Sequence, residues 1–485
     1  MIDNFHNLGV RVICWTTSLV DTDSPNYQEG LDNNYYLNTS RGDGHVGLVN
    51  WWHGTGAFID YTNPDAVNWW HSQMDNVLDM GLDGWKCDGT DPYTFELYPI
   101  EAYSGQITER DYANMYYGDF FNYTRTKNPE ALIMSRPVDS YYVLYWSFSP
   151  HYVMYSGWVG DQDPTFEGLQ DALRNMFHSA WRNYTNYGSD IGGYRSGNRT
   201  KELFIRWSQL GAFCPLMENG GDGQHRPWMF DNTNQTLDIY RQFVDIHYEL
   251  MPYFLNAGST SMEEHIPVIY PQNERTILPP RDWAYILWTD ILVNPIVENT
   301  TEVKVQFPAG NDWLDWWDTS IVYQGGETER LTYELESFPV FIRKGAALAL
   351  QVTKDLNLNH GDEYSSDRLT VFIPWATESG KQVVRQFNDL SQELEYSYDK
   401  ETRIFELTGT RHERSLIVVL HNIMEKPSSI TDNVNELLVD EMVTIEEFRI
   451  ANNVWRYDSE TKSLWIRPNA STEGTFLTIS NLVLP

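Results

Sequence analysis

Asp88 ends the run Gly81-Leu82-Asp83-Gly84-Trp85-Lys86-Cys87-Asp88, and Gly89-Thr90-Asp91-Pro92 follows it. An apolar-leaning stretch halted by Gly-Thr-Asp-Pro reads as a buried strand that delivers a carboxylate to the rim of a sheet or barrel. Lys86 lies two residues before Asp88, so in a strand the two side chains share one face. A neighbouring cation keeps a carboxylate ionised and oriented, as a carboxylate nucleophile requires. The same spacing also describes a structural ion pair at a strand end. Asp91 is a rival carboxylate, placed as a turn residue before Pro92.

The segments around this stretch alternate in type. Val10-Arg11-Val12-Ile13-Cys14-Trp15 is a β-rich strand, and residues 21–56 form a long irregular stretch of the kind that tends to carry function. A helix is expected over residues 65–80, with Asn63 as cap and Gly81 as stop. Further helices are expected over 110–126, 166–181, 202–213 and 237–255, and further strands over 131–136 and 152–158. Strands alternating with helices, with carboxylates at strand C-termini, point to a parallel α/β domain, most simply a (β/α)₈ barrel. About six strands can be counted, whereas a closed barrel needs about eight.

Beyond residue 262 the texture changes to short runs bounded by Gly, Pro and Asp, at 284–292, 303–307, 338–342, 368–373, 404–407, 415–420 and 463–466. These read as two antiparallel β-sandwich domains, giving expected boundaries of 1–262, 263–350 and 351–485. The acidic pairs Asp362-Glu363 and Glu446-Glu447 read as solvated faces.

The chain's 485 residues carry a formal charge of −34, which argues against nucleic acid or an anionic membrane as partner. Aromatic residues make up 14% of it, with 19 Trp and 30 Tyr, which suits surfaces that stack on sugar rings as well as large cores. Three widely spaced cysteines show neither zinc-ligand nor disulfide spacing, and no run of about 18 apolar residues is visible.

With these residues laid out, the chain resembles glycoside hydrolase family 31, the retaining α-glycosidases. The resemblance runs through Asp60-Tyr61-Thr62-Asn63-Pro64 with Trp69-Trp70, the Asp88 strand, Gly157-Trp158-Val159-Gly160-Asp161 and Ser189-Asp190-Ile191-Gly192-Gly193-Tyr194. It continues through Arg206-Trp207-Ser208-Gln209-Leu210-Gly211, Phe307-Pro308-Ala309-Gly310 and Phe338-Pro339-Val340-Phe341-Ile342-Arg343-Lys344-Gly345. Each motif is weak alone, and their order and spacing together are specific. The resemblance implies a barrel whose fourth strand bears the nucleophile, followed by two β-sandwiches. Val10 to Trp15 would then be the third strand, so the family's N-terminal β-sandwich and first two barrel strands are expected outside these residues: an N-terminally incomplete barrel.

By the same resemblance Asp88 is the nucleophile and Asp161 the acid/base, a pair that retaining glycosidases hold about 5–5.5 Å apart. Trp158 would exclude water from Asp161. Asp161 also fits a helix N-cap, and Asp163 is its rival. Arg136 is expected to bond the nucleophile or a sugar hydroxyl, and Trp52 and Trp158 to wall the sugar, with core ion pairing and core packing as the plainer roles. Asp190 contacts the sugar or, more simply, is structural. Tyr194 stands where relatives often carry Phe. Where many members read Arg-x-His, this chain has Glu218-Asn219-Gly220-Gly221-Asp222-Gly223-Gln224-His225, so His225 becomes the candidate sugar-binding histidine. Lys86-x-Asp88 looks closer to branches with α-xylosidases, α-galactosidases and sulfoquinovosidases than to the common α-glucosidase form, and no cationic cluster stands out to receive an anionic sugar. The implied chemistry is exo-acting hydrolysis of an α-linked glycoside or oligosaccharide, needing no metal or organic cofactor. A catalytically silent carbohydrate-binding protein, a transglycosylase and a lyase are the alternatives.

Overall fold

The computed structural model describes residues 1–39, 45–89, 91–141, 144–272, 282–352, 368–385, 391–410, 415–432, 437–438, 440–441, 444, 448, 451–468 and 475–485. The pairs Asp362-Glu363 and Glu446-Glu447 lie outside these residues. The chain forms two compact units, Met1–Asp161 with Arg174–Asp190, and Gln162–Leu173 with Ile191–Pro485.

The first unit is built on five parallel strands, β1 (Ile13–Thr16), β2 (Gly84–Cys87), β3 (Leu132–Ser135), β4 (Ser156–Val159) and β5 (Tyr187–Ser189). They lie side by side in chain order. Two helices precede β2 and β3. In α1 (Pro64–Leu78) the Asn63 side chain accepts from the Asp65 N–H at 3.0 Å and Pro64 opens the first turn, where its missing N–H costs nothing. In α2 (Glu109–Lys127) Thr108 and Asp111 form a reciprocal capping box. Tyr112, Tyr116 and Phe120 recur at helical spacing on α2, are fully buried, and share a core with Trp85 and Cys87 of β2.

Two residues fix the register of β2. Gly84 has φ 152°, and a Cβ there would fall 1.8 Å from the Leu132 carbonyl oxygen, so the β2–β3 approach requires glycine. Asp83, just before β2, accepts from the Val12 N–H at 2.7 Å and binds His6 Nε2 and Arg11 Nη1 at 2.7 and 3.0 Å, tying it to the lead-in of β1.

Some expected elements differ. Residues 21–56 are not irregular throughout: Leu19–Asp21, Thr55–Phe58 and Leu48–Asn50 form an antiparallel sheet, and Tyr27–Asp32 is a helix. Strands of three or four residues are too short to display a period. The strand expected over 152–158 begins only at Ser156, because His151–Val153 is a 3₁₀ turn entered from Pro150. Asp91 opens a short helix, Asp91–Thr94, rather than standing in a turn.

In the second unit the helix expected over 237–255 is two, Gln235–Glu249 and Met251–Glu264. Pro252 explains the break, since its ring excludes the carbonyl four residues back and it has no N–H to give. The strand expected over 284–292 is a hairpin, Tyr285–Leu287 against Ile291–Val293, turning at Trp288 with φ 56°. These strands belong to a six-stranded sheet ordered Ile269–Pro271, Tyr285–Leu287, Ile291–Val293, Val340–Arg343, Trp313–Asp315, Val322–Tyr323. Two more six-stranded sheets follow, and their inner faces, bearing Val371, Val418 and Ile466 on one and Phe405, Leu407 and Ile479 on the other, share one core. Pairing is mostly antiparallel, but Arg368–Ile373 runs parallel to Ser415–Leu420, a departure from the purely antiparallel expectation. The alternation of inward residues is the same in either direction, so the sequence pattern does not encode strand direction.

Candidate active site

Each of the five parallel strands contributes a side chain at its C-terminal end. Trp15 lies in β1, Asp88 follows β2, Arg136 follows β3, Asp161 lies two residues beyond β4, and Asp190 follows β5. In parallel α/β folds this rim is where catalytic groups collect.

Arg136 joins them. Its guanidinium is buried, with 3% of the side chain exposed, and donates to three carboxylates. Nε reaches Asp88 Oδ1 at 2.8 Å, Nη2 reaches Asp161 Oδ2 at 2.9 Å, and Nη1 reaches Asp139 Oδ2 at 2.7 Å. Two bonds from one planar guanidinium confine the nearest oxygens of Asp88 and Asp161 to within about 8 Å of each other at most. Paired carboxyl groups cleave glycosides at separations of about 5–9.5 Å.

Asp88 is held as an anion. Burial pushes its carboxyl pKa up, but the Arg136 charge and hydrogen bonds from Arg136, the Gly89 N–H and the Trp15 indole outweigh burial and bring it below the ordinary aspartate value. The Gly89 N–H donates at 2.7 Å and Trp15 Nε1 at 3.0 Å, while Tyr116 Oη binds the Asp88 carbonyl at 3.1 Å. Ionised, anchored at both oxygens and presented at a strand end, Asp88 has the state a nucleophile needs. Asp161 is more open, with 32% of its side chain exposed against 20% for Asp88, and its backbone is left-handed at φ 69°. Non-glycine residues held there cluster at functional sites. The preceding Gly160 is also constrained: a Cβ on it would meet the Trp158 ring at 2.4 Å and Asp190 Oδ2 at 3.0 Å.

Trp158 does not wall a sugar as expected. It is 1% exposed, with Lys86 Nζ 4.3 Å and Arg136 Cζ 4.8 Å from its ring centroid, so it is a buried platform under two cations. Arg136 makes the ion pair on Asp88 that the sequence suggested for Lys86. Asp190 is completely buried beneath Gly160. Trp52 is the opposite case, 69% exposed and edge-on to Trp15 at 5.9 Å, in an aromatic group with Trp51 and His53. Buried Asp21 anchors that group by accepting from Trp51 Nε1 at 2.6 Å and pairing with His53 Nδ1.

Tyr194 and His225 belong to the second unit and come together there. The Asp222 N–H binds the Tyr194 carbonyl at 2.8 Å, and a Cβ on Gly221 would touch both Tyr194 and His225. His225 is half-buried, with Nδ1 facing Asn219 Oδ1 at 3.3 Å and Nε2 buried without a partner among the described residues. Burial, then the Arg199 charge, lowers its pKa. Asp163 is exposed and pairs with Arg195 at 3.3 Å. Among the described residues no group of three or more His, Cys, Asp or Glu could hold a metal ion, and no helix is long and apolar enough to cross a membrane.

Trp15, Asp139, Asp21 and His53 were not singled out in the sequence. Trp15 carried a usable signal: it aligns with Lys86 across the β1–β2 pairing, at the same rim as Asp88. Trp15→Phe is expected to lower kcat/KM by about tenfold, the worth of one hydrogen bond to a charged group. Losing a donor to the carboxylate favours its neutral form, so the acidic limb of the kcat/KM–pH profile should move to higher pH. An unmoved limb would mean that the indole does not bind the titrating carboxylate.

Residues 1–257 match the family described as "Glycosyl hydrolases family 31 TIM-barrel domain", and residues 262–348 match "Glycosyl hydrolase family 31 C-terminal domain". "Alpha-glucosidase 2" of Bacillus thermoamyloliquefaciens is 27% identical over 420 residues, covering 82% of this chain and 51% of its own. "Isomaltosyltransferase" of Sporosarcina globispora is 23% identical over 521 residues, covering 99% of this chain and 45% of its own. The cycloalternan-forming enzyme of Listeria monocytogenes, solved with a pentasaccharide substrate, shares the fold with a TM-score of 0.85 at 22% identity, covering 100% of this chain and 47% of that one. The chain spans about half the length of the curated relatives it matches. With a (β/α)₈-type barrel domain matched over more than half its length and the family's C-terminal domain after it, the chain belongs to glycosyl hydrolase family 31.

Proposed function

We propose that the chain carries the catalytic carboxylates of a retaining exo-α-glycosidase acting on a terminal α-linked sugar of the glucoside, xyloside or galactoside type. The observation that carries this reading is the single buried guanidinium binding both Asp88 and Asp161 at the strand C-termini. Asp88 attacks the anomeric carbon. The glycosidic C–O bond breaks, its electron pair stays on the leaving oxygen, and Asp161 supplies the proton. Asp161 then takes a proton from water as the water oxygen attacks the anomeric carbon, releasing Asp88 and the free sugar. Trp15 and Arg136 hold Asp88 ionised, and Trp52 offers an exposed ring to a sugar face. We assign residues 1–262 to the barrel, 263–350 to the first β-sandwich and 351–485 to the second.

The similarity to proteins named isomaltosyltransferase and cycloalternan-forming enzyme favours a second reading, in which a sugar hydroxyl takes the place of water. Proton NMR of the first product formed from aryl α-glucoside, α-xyloside and α-galactoside tests both. The α-anomer is expected first, and a β-anomer would contradict double displacement. Chain-lengthened products in the presence of a sugar acceptor would assign transfer over hydrolysis.

A further inference from the structure

Within the second unit a cavity of about 420 Å³ lies where three loops meet. Residues 316–320 follow the strand Trp313–Asp315, His421 and Asn422 follow Ser415–Leu420, and residues 460–462 turn between Val454–Asp458 and Ser463–Arg467. The volume falls within the range of small-molecule sites, about 300–1,000 Å³. The cavity is tied in shape by the protein's own bonds. Asn422 Nδ2 donates to the carbonyls of Thr319 and Pro374, each at 2.9 Å, and the Ile423 N–H donates to the Lys462 carbonyl at 2.9 Å. Loops joined in this way lose little freedom when a ligand enters.

The lining selects a chemistry. Trp316, Trp317 and Phe372 supply aromatic surface, and the indole N–H of Trp317 is already given to the Phe338 carbonyl at 2.7 Å, so the ring is what it can offer. Asp318, Glu460 and Lys462 place charges of both signs at the cavity, which suits neither an anion nor a cation as ligand. His421 Nδ1 faces Thr319 Oγ1 at 3.3 Å, and its ring meets the Phe372 ring edge-on with centroids 4.8 Å apart. Burial lowers the His421 pKa to about 4, so at neutral pH the ring is an uncharged donor and acceptor. Aromatic faces with mixed short donors and acceptors fit an uncharged molecule that has apolar C–H faces and a hydroxyl rim.

We propose that this cavity is a second saccharide site, taking a neutral mono- or disaccharide unit of a longer chain and using none of the residues around Asp88. Only the choice of a saccharide over another neutral polyol rests on the proposed function. Isothermal titration of the Asp88→Asn protein with maltotriose and with isomaltotriose tests it. Two classes of site are expected for at least one sugar, and one class should weaken by at least about tenfold in both His421→Leu and Thr461→Trp backgrounds. Thr461 is exposed on its turn, so Thr461→Trp narrows the opening without entering a core, and it guards against a folding defect in the variant of half-buried His421. With Asp88 intact, both variants should hydrolyse aryl α-glycosides at rates within about twofold of the native chain. A single class of site, or a second class indifferent to both substitutions, overturns the proposal. A native chain without turnover would count against the proposed function alone, because occupancy of this cavity is read as heat and not as product.

Discussion

Asp88→Ala is expected to lower kcat for an aryl α-glycoside by at least about 10⁴-fold, equivalent to ~5 kcal/mol of lost transition-state stabilisation, while sugar binding persists. The size follows from removing the atom that forms the bond to the anomeric carbon, for which no neighbouring group substitutes. Asp161→Ala should behave differently. A leaving group that departs without protonation, such as dinitrophenolate, should still be released from the first step, whereas an alkyl or sugar leaving group should be lost by about 10²–10⁴-fold. Equal losses on all leaving groups would remove Asp161 from the acid role. Sugar binding by the native chain with no turnover to lose would instead favour the reading of a silent carbohydrate-binding protein.

Arg136→Met should damage both stability and activity. The guanidinium is 3% exposed and supplies hydrogen bonds to Asp88, Asp139 and Asp161. Asp139 is itself buried, with its other oxygen held by Asn175 at 2.8 Å and the Ser140 N–H at 2.7 Å, so it cannot turn to water. Breaking a buried ion pair by removing one member costs about 3–5 kcal/mol, because the remaining charge stays desolvated. The pH dependence has a defined sign. Asp88 has a folded-state pKa below its unfolded value, so its pairing stabilises the native chain above about pH 4 and that contribution is lost as pH falls through the folded value. In Arg136→Met the Asp88 pKa should rise. The stability deficit measured by urea unfolding should therefore be largest near neutral pH and narrow in acid. A deficit independent of pH would mean that Arg136 acts by packing alone. Arg136→Lys should rescue little, since a point charge cannot address three carboxylates from one plane.

The strand-end placement of Asp88 and Asp161 was legible for a physical reason. Strand ends are marked in sequence by an apolar run followed by turn residues, and both Asp88 and Asp161 stand at such marks. The helix capped at Asn63 was equally readable, because capping is a local interaction, whereas the Thr108 capping box of α2 went unread. What was not legible was side-chain partnership across the fold. Spacing alone suggested Lys86, two residues away, as the cation; only the family resemblance pointed to Arg136, 48 residues downstream, which makes the ion pair on Asp88 through the β2–β3 pairing. Trp158 shows the same limit from the other direction. The family resemblance suggested a sugar wall, but whether an indole faces solvent or lies under two cations depends on neighbours from other strands. The three-residue strands between residues 19 and 58 were hidden because nothing so short has a period.

Double displacement requires that the Asp88 carboxylate become covalently bonded to the sugar. Reaction with an activated fluorosugar that forms the glycosyl intermediate quickly and hydrolyses it slowly, followed by peptide mass spectrometry, tests it directly. The expected result is a one-sugar mass increase on the peptide bearing Asp88, absent in Asp88→Ala and restored to zero in the native protein as the label turns over. A label on another carboxylate, or steady turnover with no label on any peptide, would contradict the account.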